Sequence, residues 1–255
     1  LRGRDIKRYQ ADFADKWLLF IPWHFPLHKD TNISGASLEA EEEFAKQYPA
    51  IYRHLLSYKE QLSRRNKAET GIRYEWYALQ RCASTYYTEF KKEKVVWQEM
   101  VQEPTFSYDH MGKFLCLDTG RILTGQHLKV LVCIMNSKLF FSIVKNFYGG
   151  GALGGKGIRM KHTFINCAPV PLVNSSINQI FCEVTDRVVS LIESGVPSNL
   201  VESQIDLMVY KLYELDYAEA KLIDPDLDTV LASFGISVQD FERMSIEDLS
   251  KLEVK

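Results

Sequence analysis

Short strands mixed with helices up to about residue 174, and helices alone after it, predict an α+β chain. Three observations support this. Short β-rich runs separated by turn formers fill residues 95–123. Helical periodicity governs 38–66 and returns at 177–223. Charge also changes sign along the chain. Residues 1–175 hold 25 Lys and Arg against 17 Asp and Glu, a balance of +8. Residues 176–255 hold 6 against 16, a balance of −10, so the net charge of −2 hides a basic body joined to an acidic tail. A basic surface attracts polyanions, and release of their condensed counterions adds to binding. The boundary falls near Asn174, dividing the chain into 1–174 and 175–255.

The elements follow in order. Arg2 to Arg8 is a basic strip ending in Tyr9, and Trp17–Ile21 is an apolar run short enough for a buried strand. Residues 24–37 are rich in turn formers. Ser37 is placed as the N-cap of a helix over Leu38–Gln47, whose first turns carry Glu39, Glu41, Glu42 and Glu43 where the helix dipole favours anions. Pro49 suits N1 of a second helix, Ala50 to about Asn66, with Ile51, Leu55, Tyr58 and Leu62 on one face. Strands are expected at Val95–Met100, Thr105–Tyr108, Phe114–Asp118 and Arg121–Leu123. Helices follow at His127–Asn136 and Lys138–Phe147, broken near Asn136-Ser137. A glycine-rich loop, Gly149–Gly157, leads to a strand at Met160–Cys167 and an exit at Pro169-Val-Pro171. Amphipathic helices at Ile177–Ser194 and Asn199–Leu215 come next. Asp216–Ile223 either extends the second or forms a third, and Val238–Met244 is one more short helix.

Several function classes are disfavoured. No apolar run reaches the roughly 18–20 residues of a membrane span; Leu128–Met135 is the longest and Lys129 interrupts it. The chain opens on Leu1-Arg2-Gly3-Arg4 without a signal peptide or Met, which suggests a piece of a longer, cytoplasmic protein. Cys82, Cys116, Cys133, Cys167 and Cys182 include no C-x-x-C pair and are expected as buried free thiols. His24 and His28 are four apart, but Pro26 lies between them, so a loop pair is the better reading. Gly150–Lys156 imitates a phosphate loop, yet Gly157 lacks the hydroxyl that would bind Mg²⁺. A loop lying against a phosphate and a plain hinge both stay open there. Glu89-Phe-Lys91 has the (D/E)-x-K spacing of a nuclease. No Asp lies between Asp30 and Asp109 to partner it, so a solvated patch is expected.

Seven segments in order carry a resemblance. They are LRGRDIKRY at 1–9, YPAIYRHLLSYKEQLSRR at 48–65, RYEWYALQRC at 73–82, KVVWQEM at 94–100, LKVLVCIMNSKLFFSIVKNFY at 128–148, INCAPVP at 165–171 and IDLMVYKLYELDYAEAKLI at 205–223. Together they resemble the C-terminal target-recognition region of type IIG restriction–modification enzymes, which join endonuclease and adenine-N6 DNA methyltransferase activities to one specificity module. Recognition domains of type I specificity subunits are related. The resemblance implies a mixed α+β recognition domain followed by helices that pack on it or on the methyltransferase. It implies double-stranded DNA as partner, together with an upstream methyltransferase domain of the same polypeptide. No cofactor is implied in this chain, while S-adenosylmethionine and Mg²⁺ belong to the longer parent. The (N/D)-P-P-(Y/F) motif of the methyltransferase is absent here. A protein-interaction module working through the acidic helices is the rival from another class.

Base edges in the major groove are read by planar, multi-donor side chains, and phosphates by Lys, Arg, Tyr or backbone amides. On those grounds Arg64, Arg65, Lys67 and Arg73 form one candidate DNA-binding cluster, with Tyr74 and Trp76 contacting sugars or packing beneath the guanidinium groups. Lys156, Arg159 and Lys161 form a second, after the glycine loop. Lys91, Lys92 and Lys94 are a weaker third, since Lys runs are more often solvated surface.

Overall fold

Helix signals in the first part of the chain act as the residues dictate. In the computed structural model, which describes residues 1–13, 15–80, 87–117, 119–148 and 157–253, Ser37 Oγ accepts a hydrogen bond from Ala40 N at 3.1 Å. This caps α1 (Leu38–Gln47). Replacing Ser37 with alanine is expected to cost about 1 kcal/mol, read by chemical denaturation; an unchanged midpoint would remove the cap's importance. Pro49 occupies the first turn of α2 (Pro49–Leu56). The single helix expected to reach Asn66 is instead interrupted. Ser57 Oγ donates to His54 O at 2.6 Å, closing the turn locally before α3 (Lys59–Ser63) resumes.

Residues Trp17–Thr88 form one compact unit, and Leu1–Lys16 with Glu89–Lys255 form another. The core of the smaller unit is aromatic. Phe44 is fully buried, 4.6 Å from the Tyr77 ring and edge-on to Tyr52 at 5.7 Å, with Ile21, Tyr74, Trp76 and Ala78 around it. The strand expected at Trp17–Ile21 is irregular chain. Trp17, Leu18 and Leu19 are exposed, and only Ile21 enters the core. Periodicity alone cannot separate a buried strand from an apolar loop.

The larger unit contains β1 (Lys94–Gln98), β2 (Met100–Val101), β3 (Phe106–Asp109), β4 (Gly120–Leu123) and β5 (Ile158–Arg159). β1 runs antiparallel between β3 and β4, while β2 pairs antiparallel with β5. No strand forms over residues 114–117 of the stretch expected at Phe114–Asp118, and Asp118 lies outside the described residues. Residues 113–117 are irregular, and Lys113 and Phe114 donate their amides to Asp109 instead of to a ladder. Gly112 shapes this turn at φ +62°, and a Cβ there would stand 2.2 Å from Lys91 O. Tyr9 joins the sheet from the N-terminal strip, donating its amide to Phe106 O at 2.8 Å and accepting from Tyr108 N at 2.9 Å.

Against the sheet lies α4 (Leu128–Asn136), buried over most of its length. Its last residue clamps β3: Asn136 Nδ2 donates to Phe106 O at 2.8 Å and its Oδ1 accepts from Phe106 N at 3.0 Å. The expected break follows, with Ser137 capping α5 (Lys138–Ile143) through Phe140 N at 3.1 Å. The strand expected at Met160–Cys167 is mostly replaced by α6 (His162–Ile165), since pairing with β2 ends at Arg159. Helices α7 (Ser175–Glu193), α8 (Asn199–Leu212), α9 (Tyr217–Ile223), α10 (Leu227–Phe234), α11 (Val238–Arg243) and α12 (Ile246–Ser250) complete the unit. α8 is not amphipathic as its periodicity suggests. Every residue from Gln204 to Tyr210 is buried, which makes it the central helix. One apolar core runs from Val95, Trp97 and Phe106 through Ile134 to Phe181, Ile205 and Leu249. Asn174 caps α7, and the two compact units divide at 16/17 and 88/89.

Burial within α8 shapes the response to pH. Desolvation raises the Asp206 carboxyl to about 6, although Arg8 and the Lys138 amide favour its charged form. A raised acid contributes stability that is fully present below its unfolded value near 3.8 and is lost as pH climbs through about 6. Asp206→Asn is therefore expected to gain on the wild type between pH 4 and pH 7 by about 3 kcal/mol at most. Urea titrations at both pH values check this, and a difference independent of pH would contradict it. The thiols are less buried than expected: Cys133 is buried, Cys116 and Cys182 are half-buried, and Cys167 is exposed. Cys82 lies outside the described residues.

Candidate nucleic-acid interface

The first candidate cluster lies at the C-terminal end of α3 and the turn after it, in the smaller unit. Arg64 is exposed and pairs with Glu60 at 2.5 Å, one helical turn earlier. Lys67 is exposed in the turn. Arg73 pairs with Glu69 at 3.0 Å while its guanidinium lies over the Trp23 ring at 5.4 Å. Trp23 in turn stacks on Tyr74 at 4.8 Å. These three side chains form a layered stack that holds the Arg73 head at the surface.

Of the other three members of this cluster, Arg65 is half-buried and the two aromatic rings are buried. Arg65 Nη2 donates to Trp76 O and Ala78 O, each at 2.8 Å, and its Nε to Leu62 O at 2.9 Å. A guanidinium joined to three carbonyls of its own unit acts as a staple. Tyr74 is fully buried with its hydroxyl on Thr70 Oγ1 at 3.1 Å. Trp76 is buried and donates Nε1 to Glu41 at 2.7 Å. Both rings pack beneath the cations, and neither reaches solvent where a sugar would lie. Glu41 gathers Trp76, the Tyr52 hydroxyl at 2.8 Å and Lys59 at 3.2 Å. Burial opposes its charge, yet these donors prevail and hold the carboxyl below its usual value. Lys59 also sits over the Trp76 ring at 4.9 Å. Sequence reasoning missed Lys59 and Trp23, because their partners are 17 to 51 residues away.

In the larger unit the second cluster is reduced. Lys156 lies outside the described residues, together with most of the glycine loop. Arg159 is half-exposed, and its Nε donates to Glu99 Oε1 at 2.6 Å. The other Glu99 oxygen takes Arg121, so one carboxylate orients two guanidinium groups. Lys161 is half-buried at the N-cap of α6. The third cluster dissolves: Lys92 pairs with Glu89 at 2.5 Å, and Lys94 is fully buried against Asp109. The basic strip splits as well. Arg2 pairs with Asp5 at 2.8 Å, and Arg8 turns inward to Glu202 at 2.9 Å and Asn136 O at 2.7 Å. Arg4 and Lys7 remain exposed beside a groove of about 420 Å³.

His24 is an anchor more than a loop pair: its amide and Nδ1 both meet the Glu75 carboxylate, at 2.7 and 2.9 Å. Among the described residues no three His, Cys, Asp or Glu side chains gather as they would around a metal ion, and no helix is long and apolar enough to cross a membrane.

Two comparisons bear on this surface. The chain is similar to the type II methyltransferase M.MjaIV of Methanocaldococcus jannaschii, at 22% identity over 180 residues. That match takes in 68% of this chain and 58% of the relative, so the chain spans less than two thirds of its length. Residues 1–170, the stretch holding every candidate cation described above, match the model of the TaqI-like C-terminal specificity domain, and the chain belongs to that family.

Proposed function

We propose that this chain is the double-stranded DNA recognition module of a restriction–modification enzyme and selects the target sequence without catalysing a reaction itself. The observation that carries this reading is the specificity-domain match over residues 1–170. That stretch falls within the segment of excess positive charge. In the finer form of the proposal the parent is a type IIG, adenine-specific enzyme of the cytoplasm. Its methyltransferase domain, which uses S-adenosylmethionine, and its Mg²⁺-dependent endonuclease lie outside this chain. Residues 1–174 carry recognition, and the acidic helical region 175–255 packs on the recognition or methyltransferase domain. The proposed DNA contacts are Arg64, Lys67, Arg73, Arg159, Lys161 and Lys156. Phosphate contacts set register, while a few guanidinium groups read base edges.

Salt dependence tests the reading. Affinity for a mixed-sequence duplex is expected to fall linearly on a log–log plot, by about 0.9 per phosphate neutralised. Arg64→Glu with Lys67→Glu is expected to weaken binding and to reduce the slope by about 2. A chain that binds no duplex at low salt, but forms a stable complex with a methyltransferase domain, would favour the protein-interaction reading.

A further inference from the structure

The N-terminal strip contains an unused half. Arg2 and Arg8 are engaged by Asp5 and Glu202, but the side chains of Arg4 and Lys7 make no hydrogen bond or ion pair among the described residues. Both line the groove of about 420 Å³, as do Gln98, Gln102, Glu103 and Thr105. The carboxamides of Gln98 and Gln102 are likewise without partners among the described residues. Thr105, in the buried floor, keeps a hydroxyl with no partner. Buried polar groups are ordinarily satisfied, and convergent polar groups in a concavity are the usual make-up of a binding site.

Backbone geometry builds this arrangement. The turn Gly3–Asp5 lies against β1 so closely that a Cβ on Gly3 would stand 2.9 Å from Gln98 Oε1. Arg4 and Lys7 line the same groove as the Gln98 carboxamide. Apolar Ile6, Met100 and Val101 complete the wall. Two cations suit phosphates, and a carboxamide offers the donor–acceptor pair that meets the N6 and N7 edge of adenine.

We infer that this groove is a further DNA subsite, gripping phosphates through Arg4 and Lys7 while Gln98 and Gln102 read a purine edge. The inference rests on the duplex-recognition reading above and adds four residues to it. Among the described residues Glu103 is the one carboxylate lining the groove and opposes the phosphates, so Glu103→Gln tightens binding to a mixed-sequence duplex.

The test uses the 255-residue chain and a fluorescent mixed-sequence duplex. Arg4→Ala with Lys7→Ala lowers the salt slope by about 2, and the glutamine pair Arg4→Gln with Lys7→Gln does the same. Gln98→Ala with Gln102→Ala leaves the slope alone. Sequences selected from a random duplex pool then lose their preference at one adenine position. If the wild type binds with a salt-dependent affinity and neither cation pair moves its slope, the subsite is wrong while duplex recognition stands. A selected preference untouched by the glutamine variants, or no preference in the wild type, overturns base reading in the groove. Absence of salt-dependent binding by the wild type overturns the duplex reading, and this inference with it.

Discussion

Replacing Lys94 with alanine is expected to lower the stability of the larger unit by about 3–5 kcal/mol, because it strands a buried carboxylate. Lys94 stands opposite Asp109 in the β1–β3 register, and both side chains are almost wholly removed from solvent. The ammonium also donates to Phe90 O at 2.7 Å, while Asp109 accepts the amides of Lys113 and Phe114 at 3.1 and 2.9 Å. One ion pair thus joins the central strand, its neighbour and the turn that follows. Pairing Lys94→Met with Asp109→Asn removes both charges and retains an acceptor for the turn, so the double variant is expected to recover much of the loss. Denaturant titrations of the variants provide the measurement. A Lys94→Ala chain within about 1 kcal/mol of wild type would mean that water reaches Asp109.

Arg65→Ala is expected to destabilise the smaller unit by about 2–3 kcal/mol, since hydrogen bonds from a charged donor contribute about 1.5–3 kcal/mol each and the half-buried carbonyls regain some water. Three carbonyls, of Leu62, Trp76 and Ala78, lose their donor together. Arg64→Ala, which trims a surface side chain paired only with Glu60 one turn earlier, is expected to change stability by less than about 0.5 kcal/mol. DNA binding orders the two differently. At temperatures where both variants are folded, Arg64→Ala reduces the salt slope and Arg65→Ala does not. Equal losses of slope would show that Arg65 leaves its carbonyls to meet a phosphate.

Neighbouring residues in the alignment of charges thus have opposite fates, and only part of that was legible in advance. The caps were legible: Ser37 and Pro49 act within one turn of themselves, and the helices they begin stand where expected. The same kind of signal was available and unused near the C terminus. Ser237 with Asp240, and Ser245 with Asp248, form capping boxes that start α11 and α12. The second of these helices was not anticipated. Strands fared worse, because a strand exists only where a partner lies beside it. Trp17–Ile21 and residues 114–117 have β-rich composition without a ladder, whereas Met160–Cys167 lies beyond Arg159, where the partner strand ends.

The candidate site shows the same limit more sharply. Arg64, Lys67 and Arg73 keep the exposure expected of them, but Tyr74 and Trp76 are buried, Arg65 is half-buried, and Lys156 lies outside the described residues. Arg4 and Lys7 were visible as part of a basic strip, yet nothing local distinguished them from Arg2 and Arg8.

Sequence alone determined the α+β class, the helix starts, the family resemblance and the segregation of charge, because each depends on residue identity or on contacts within a few positions. Tertiary structure decided which cations are available to a ligand. A guanidinium or ammonium is removed from that role by a carboxylate or carbonyl that chain folding carries to it: Glu202 to Arg8, Asp109 to Lys94, Trp76 and Ala78 to Arg65. Those partners are 11 to 194 residues away, and linear spacing holds no information about them.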